Sequence, residues 1–227
     1  DGESYEIEVH EQKLSLRRQP LNAWPDVAKA LLMPVRHISE RRSTQETDIS
    51  LSLNLDGTGN AEVETGLNFF NHMLDQIARH GGLDMELKAD GDLEVDEHHT
   101  IEDVAIVLGS AIDKALGDKG GLERYGFVLP MDETEARVSV DLSGRPYLQF
   151  EGEFKREYVG DFPTEMAEHF FHSLAMQMNA TLHISVKGAN DHHKLEACFK
   201  GFARALRMAL KRDPESLNIL PTSKGKL

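Results

Sequence analysis

The sequence predicts an α+β fold made by internal duplication of a strand-strand-helix-strand-helix half-domain, with sheets backed by helices. Three observations predict it. A His-His-x-x-Glu cluster occurs twice, in Asp96-Glu97-His98-His99-Thr100-Ile101-Glu102 and in Asp191-His192-His193-Lys194-Leu195-Glu196. Each cluster follows a histidine in a helix-like segment, His72 in Phe69-Phe70-Asn71-His72 and His169 in Glu168-His169-Phe170-Phe171. The spacing is nearly constant: 97 residues separate His72 from His169 and 94 separate His98 from His192, the difference falling where Gly91-Asp92-Leu93-Glu94 has no full counterpart.

The elements follow in order. Ile49 to Leu55 alternates apolar and polar residues and ends at the turn Asp56-Gly57, the pattern of a strand with one buried face. A helix is expected from about Asn68 to His80, then a strand around Met85-Glu86-Leu87-Lys88, then a helix opened by the first His-His-x-x-Glu and running to about Leu116. The second half repeats the order. It has a strand Ala136 to Leu142 closed by Ser143-Gly144, a helix from about Pro163 to Asn179, a strand at His183-Ile184-Ser185-Val186, and a last helix to about Leu210. The halves span about 44–121 and 122–227 within a working domain of residues 38–227. Residues 1–37 read as an N-terminal extension or the remnant of a preceding domain. They hold an acidic start, a strand-like Tyr5 to Val9 and a short helical Trp24 to Leu32. An opening at Asp1 rather than Met is what a fragment or processed product would show.

Composition bounds the function. At 227 residues, 28% charged and 40% hydrophobic, the chain has the balance of a globular protein. Its formal charge of -14 argues against a general nucleic-acid or anionic-membrane surface. No apolar run reaches the length of a membrane span and no signal-peptide pattern opens the chain. A single cysteine, Cys198, excludes an internal disulfide framework and suits a reducing compartment, so a cytoplasmic location is expected, with a plastid location open to a truncated chain.

Helical geometry constrains the histidine clusters. Residues i and i+3 or i+4 share a face, whereas neighbours diverge by roughly 100°. His98 or His99 can therefore reach an ion with Glu102, but the two adjacent rings are poorly placed to chelate one ion together, and the same holds for His192, His193 and Glu196. The economical arrangement is two ions. Each His-His pair then gives one imidazole to each ion, and His72, His169, Glu102 and Glu196 fill the remaining positions. Imidazole and carboxylate without thiolate suit manganese, iron, cobalt or zinc, and four protein ligands on an octahedral ion leave two positions for substrate or water. Asp96 and Asp191 are expected to orient a ligating ring. Taken singly, a buried histidine is usually a hydrogen-bonded core residue, and His80, His172 and His183, outside the repeat, read as structural or surface groups. Paired occurrence at matched places in a repeat is what points to metal.

Basic residues among turns suggest a local anion pocket: Arg124 before Tyr125-Gly126, Arg145 in Ser143-Gly144-Arg145-Pro146, Lys200 four residues beyond Glu196, and Ser223-Lys224 near the end. Singly, each is an ordinary solvated charge.

These segments together resemble the imidazoleglycerol-phosphate dehydratase family. The match runs over about residues 38–227, through Arg42-Ser43-Thr44-Gln45-Glu46-Thr47, Phe69 to Gln76, Asp96 to Asp103, Ser143 to Pro146, Glu168-His169-Phe170, Asp191 to Glu196 and Ser223-Lys224-Gly225. The resemblance implies a hydro-lyase of histidine biosynthesis that converts imidazole glycerol phosphate to imidazole acetol phosphate. It implies two manganese ions per active site, other divalent metals remaining possible. It also implies a homo-oligomer of 24 subunits built from trimers, with metals at subunit interfaces. Carried over residue by residue, it places metal ligands at His72, His98, His99, Glu102, His169, His192, His193 and Glu196. It places substrate contacts at Gln76, His80, Arg124, Arg145, Lys200, Ser223 and Lys224, and acid-base work at Glu46. Glu97 stands where Asp is frequent and Thr222 where Ser is frequent. In some bacteria this dehydratase follows a histidinol-phosphate phosphatase domain, and Leu21-Asn22-Ala23-Trp24-Pro25 faintly resembles that domain's end, without a phosphatase nucleophile motif.

The chemistry required by such a substrate fits two ions. The reacting carbon has no carbonyl beside it, so the imidazole ring must accept the charge, and divalent cations on its nitrogens would favour that. A dinuclear metallohydrolase or a metal-binding shell protein would share the ligands, but neither requires Arg124, Arg145 and Ser223-Lys224 beside them.

Overall fold

The computed structural model describes residues 4–9, 12–17, 33, 35–128 and 131–227. At the N-terminus β1 (Ser4–Val9) and β2 (Gln12–Arg17) form an antiparallel pair. The helix expected over Trp24 to Leu32 and the Leu21–Pro25 resemblance lie outside the described residues.

The first half runs β3 (His37–Ser43), β4 (Thr47–Asn54), β5 (Ala61–Glu64), α1 (Asn68–Gly81), β6 (Asp84–Gly91) and α2 (His98–Leu116). The second runs β7 (Tyr125–Val128), β8 (Glu135–Asp141), β9 (Tyr147–Glu151), a short β10 (Tyr158–Val159) and β11 (Phe162–Pro163) pair, α3 (Met166–Gln177), β12 (Thr181–Lys187) and α4 (Asp191–Ala209). The two four-stranded sheets have the orders β3-β4-β6-β5 and β7-β8-β12-β9. In each, the first pair and the central pair are antiparallel and the last pair is parallel. The duplication read from histidine spacing is thus a duplication of topology. Each four-stranded sheet has one strand more ahead of the first helix than the sequence pattern marks, and the second half adds the short β10–β11 pair. β3, His-Ile-Ser-Glu-Arg-Arg-Ser, is an edge strand whose charges hide its alternation, and β5 is only four residues long.

Alternation sets which face of each sheet is buried. Ile49, Leu51 and Leu53 of β4 stand beside Ala89, Leu87 and Met85 of β6, and Ala136, Val138 and Val140 of β8 stand beside Val186, Ile184 and Leu182 of β12, all buried. Helices cover these faces. α1 and α2 lie on the first sheet, α3 and α4 on the second, and the helices meet crosswise, α1 with α4 and α2 with α3. The result is one continuous core, including Phe70, Phe162, Phe170, Phe171, Phe199 and Phe202, between the two sheets. Gly126 shows how closely the second sheet and α4 approach: a Cβ there would lie 1.8 Å from the Ala205 carbonyl oxygen.

The halves are also tied through a helix start. Leu67, ahead of α1, offers no side-chain cap. Asp161 of the second half supplies one, accepting the amide hydrogens of Asn68 at 2.6 Å and Phe69 at 2.8 Å. The helix that carries His72 is therefore anchored by the opposite half.

Candidate metal and active site

Crossed helix pairing brings the histidines together between halves. His98 and Glu102, one turn apart on α2, meet His169 of α3: Glu102 carboxylate oxygens lie 3.5 Å from His98 Nε2 and 3.3 Å from His169 Nε2, and the two rings are 4.6 Å apart. The three donors all fall within 4.8 Å of one another. Among the described residues His169 Nε2 is buried without a hydrogen-bond partner, a costly state that a bound cation would relieve. The pseudo-equivalent set is His192 and Glu196 of α4 with His72 of α1. Glu196 Oε1 lies 2.9 Å from His72 Nε2 and 3.7 Å from His192 Nε2. The other oxygen of Glu196 accepts from Lys200 Nζ at 2.9 Å. Burial alone would raise the Glu196 pKa; hydrogen bonds from Lys200 and His72 outweigh it and hold the carboxyl below its usual range.

The second imidazole of each pair points elsewhere. His98 and His99 have interplanar angle 81° and centroids 6.1 Å apart, and His192 and His193 have 79° and 6.1 Å. His99 Nδ1 sits 3.2 Å from both oxygens of Asp92, and His193 Nδ1 sits 2.8 Å from Glu133 Oε2. Those contacts, before burial's smaller opposing effect, raise both imidazole pKa values. The eight residues thus divide into two three-donor clusters and two rings standing apart.

Asp96 and Asp191 do not orient these rings, contrary to expectation. Asp96 accepts the His98 amide at 2.9 Å, the position filled in the second half by Asn190 on the His192 amide. Asp191 pairs with Lys194 and accepts the amides of Lys155 and Arg156. Asp96 turns toward an unpaired N–H group at its helix start, whereas Asp191 is taken by loop amides and a lysine. Asp92 and Glu133, outside the motif, were the groups that pattern reading missed. Asp92 lies in the loop segment without a full counterpart, and Glu133 is in a turn ahead of β8, so neither carries a spacing signal.

The expected substrate residues fall into two groups. His80, Lys200, Gly201, Met131 and Arg204 line a cavity of about 380 Å³ next to the Glu196 cluster. Gln76 bridges toward that cluster, its Oε1 accepting from His80 Nε2 at 3.1 Å and its Nε2 lying 3.4 Å from His72 Nδ1. Burial first, then Lys200 and Arg204, lower the His80 pKa. Arg204 was not singled out from sequence, although it follows Glu196 and Lys200 at successive four-residue steps on one helix face.

Arg124, Arg145, Ser223 and Lys224 form the other group. Arg124, 8% exposed, grips Asp141 at 2.6 and 3.1 Å and donates to the Pro221 carbonyl at 2.8 Å. Arg145 is exposed, 3.7 Å from the same Asp141. Gly144 lies against Leu227, so the C-terminal segment with exposed Ser223 and Lys224 folds over this turn. The Arg124 amide bonds the Ala209 carbonyl at the far end of α4, roughly 20 Å along the helix from Glu196. Within one chain these residues do not converge with the Glu196 cluster. Glu46 is half-exposed with Oε1 3.7 Å from His99 Nε2.

A family model for imidazoleglycerol-phosphate dehydratase matches residues 65–206, which hold both clusters. The chain belongs to the imidazoleglycerol-phosphate dehydratase family. Solved members superimpose on it closely. The dehydratase of Staphylococcus aureus is 40% identical with TM-score 0.71, covering 78% of this chain and 99% of that one. That of Pyrococcus furiosus, in complex with (S)-C348, is 35% identical with TM-score 0.71, covering 83% and 100%. Among curated relatives, the histidine biosynthesis bifunctional proteins of Spirosoma linguale and Stenotrophomonas maltophilia are 53% and 55% identical over 204 residues, 90% of this chain. The chain spans about half the length of these relatives, 53% and 56%. Among the described residues no helix is long and apolar enough to cross a membrane.

Proposed function

We propose that this chain, through residues 38–227, dehydrates imidazole glycerol phosphate to imidazole acetol phosphate as a metal-dependent hydro-lyase of histidine biosynthesis. The observation that carries the reading is the pair of matched imidazole-imidazole-carboxylate clusters, His98/Glu102/His169 and His72/Glu196/His192, each with one ring of its His-His pair left over. Their donor chemistry, and the buried Nε2 of His169 that lacks a hydrogen bond among the described residues, fit two manganese ions or similar divalent cations per site. When bound, such ions would act as Lewis acids toward the substrate's ring nitrogens.

The chain's own residues supply the rest. Glu46, open to solvent beside His99, carries a proton to or from the reacting groups. Lys200 and His80, around the cavity beside Glu196, take the anionic end of the substrate together with Gln76. Arg145, Ser223 and Lys224 add phosphate donors, and Arg124 holds their segment in place. Because that group stands at the opposite end of α4, and because His99 and His193 leave the clusters, a complete site calls for residues of more than one copy. This agrees with a homo-oligomer of 24 subunits built from trimers. Residues 1–37 read as an N-terminal extension or the remnant of a preceding domain, and buried Cys198 fits a cytoplasmic setting.

Incubating manganese-loaded protein with imidazole glycerol phosphate should give a product lighter by one water by mass spectrometry. A chelated control should give none. Turnover that survives thorough chelation would overturn the metal-dependent reading.

A further inference from the structure

Superposing the halves by strand register aligns groups that sequence spacing leaves unpaired. Inward residues Ile49, Leu51 and Leu53 of β4 correspond to Ala136, Val138 and Val140 of β8, and Met85, Leu87 and Ala89 of β6 to Leu182, Ile184 and Val186 of β12. Followed outward, this register matches Thr47 with Thr134, and Gly91 with Gly188. The packing agrees: Thr47 pairs with Gly91, and a Cβ on Gly188 would lie 2.1 Å from Thr134 Oγ1. One residue further out, Glu46 matches Glu133, and Asp92 matches Ala189.

The two glutamates occupy one structural position and do different things. In the first half, Asp92 takes His99 Nδ1, and Glu46 is left 3.7 Å from Nε2. In the second half the place of Asp92 is an alanine, and Glu133 itself takes His193 Nδ1 at 2.8 Å, also accepting the Asn190 amide at 3.3 Å. A carboxylate only accepts, so both rings carry their proton on Nδ1 and present a lone pair at Nε2.

We infer that Asp92 and Glu133 are positioning residues that fix the tautomer and aim of His99 and His193, and that Asp92 does so in a way that frees Glu46 for proton transfer while its counterpart Glu133 is committed to the ring. The inference deepens the dehydratase reading and rests on it. The duplicated unit is therefore asymmetric: one copy of this glutamate is reactive, the other structural to the metal site.

The test compares Glu133→Ala, Glu133→Gln and Glu46→Ala with the unaltered chain, measuring manganese affinity by competition with a fluorescent chelator and turnover across a manganese series. Glu133→Ala should weaken manganese binding by about 10- to 100-fold, with kcat recovering as manganese is raised. Glu133→Gln should stay within a few-fold of the unaltered chain, because its amide oxygen still accepts from Nδ1. Glu46→Ala should bind manganese normally and lose turnover that no manganese concentration restores. Unaltered manganese affinity in Glu133→Ala, or the same metal-dependent loss in both alanine variants, would overturn the inference. An unaltered chain that binds no manganese would overturn the metal reading and this inference with it, a result distinct from either.

Discussion

His72 Nε2 lies 2.9 Å from Glu196 Oε1 across 124 residues of chain. The contact exists because α1 of one half packs on α4 of the other, so a cluster with local sequence spacing is completed by a distant helix. His72→Ala or Glu196→Gln should empty this cluster and leave His98, Glu102 and His169 intact. Metal content measured by atomic absorption on gel-filtered protein should fall by roughly half rather than vanish. Complete loss of metal from His72→Ala would mean that the two clusters do not load independently.

Much of this arrangement was legible in the sequence, for identifiable reasons. The inner strands β4, β6, β8 and β12 alternate because one face is buried, and the helices carry long apolar periodicity. What stayed hidden depends on three dimensions. Edge strand β3 uses charge where an inner strand uses alternation. Asp161 caps a helix 92 residues away, and Glu133 reaches His193 across 60 residues, so no local spacing predicts either contact. Asp96 and Asp191 have the spacing of ring-orienting acids, but a helix-start amide claims Asp96, and the loop amides of Lys155 and Arg156 with Lys194 claim Asp191.

Asp161→Ala should destabilise the fold by about 1–2 kcal/mol, the range for losing a helix cap. Both amides at the start of α1 lose their acceptor at once. Chemical denaturation would read the change as a lower midpoint at constant slope. Asp161→Asn, which keeps one acceptor oxygen for the two amides, should recover part of it.

Asp84 predicts an acid-sensitive part of the stability. One of its oxygens accepts the amides of Thr58, Gly59 and Asn60 at 2.8, 3.1 and 3.1 Å, closing the loop between β4 and β5. Burial would raise its pKa, but these hydrogen bonds outweigh burial and lower it. The sign follows: with the folded pKa below the unfolded one, the carboxylate's contribution is complete above the unfolded value and is lost as pH falls through the folded value. Thermal melts of the unaltered chain and Asp84→Asn should therefore differ most near neutral pH and converge as pH falls below the ordinary aspartate range. A difference independent of pH would assign the effect to packing rather than to charge.

Arg124 joins the C-terminal segment to the second sheet, and its loss should show in two measurements. Its guanidinium fork spans both oxygens of Asp141 while a third N–H reaches the Pro221 carbonyl. Arg124→Ala leaves Asp141 without that partner and releases the segment carrying Ser223 and Lys224, so limited proteolysis should cut residues 213–227 sooner. If those residues grip phosphate, KM for imidazole glycerol phosphate should rise by about tenfold or more, the equivalent of one charged hydrogen bond, with a smaller change in kcat. Arg124→Lys keeps the charge but cannot form the fork, and it should resemble the alanine variant in proteolysis. A lysine variant that protects the segment as well as arginine does would show that charge alone holds it, and Arg124 would then act by attraction to Asp141 rather than by geometry.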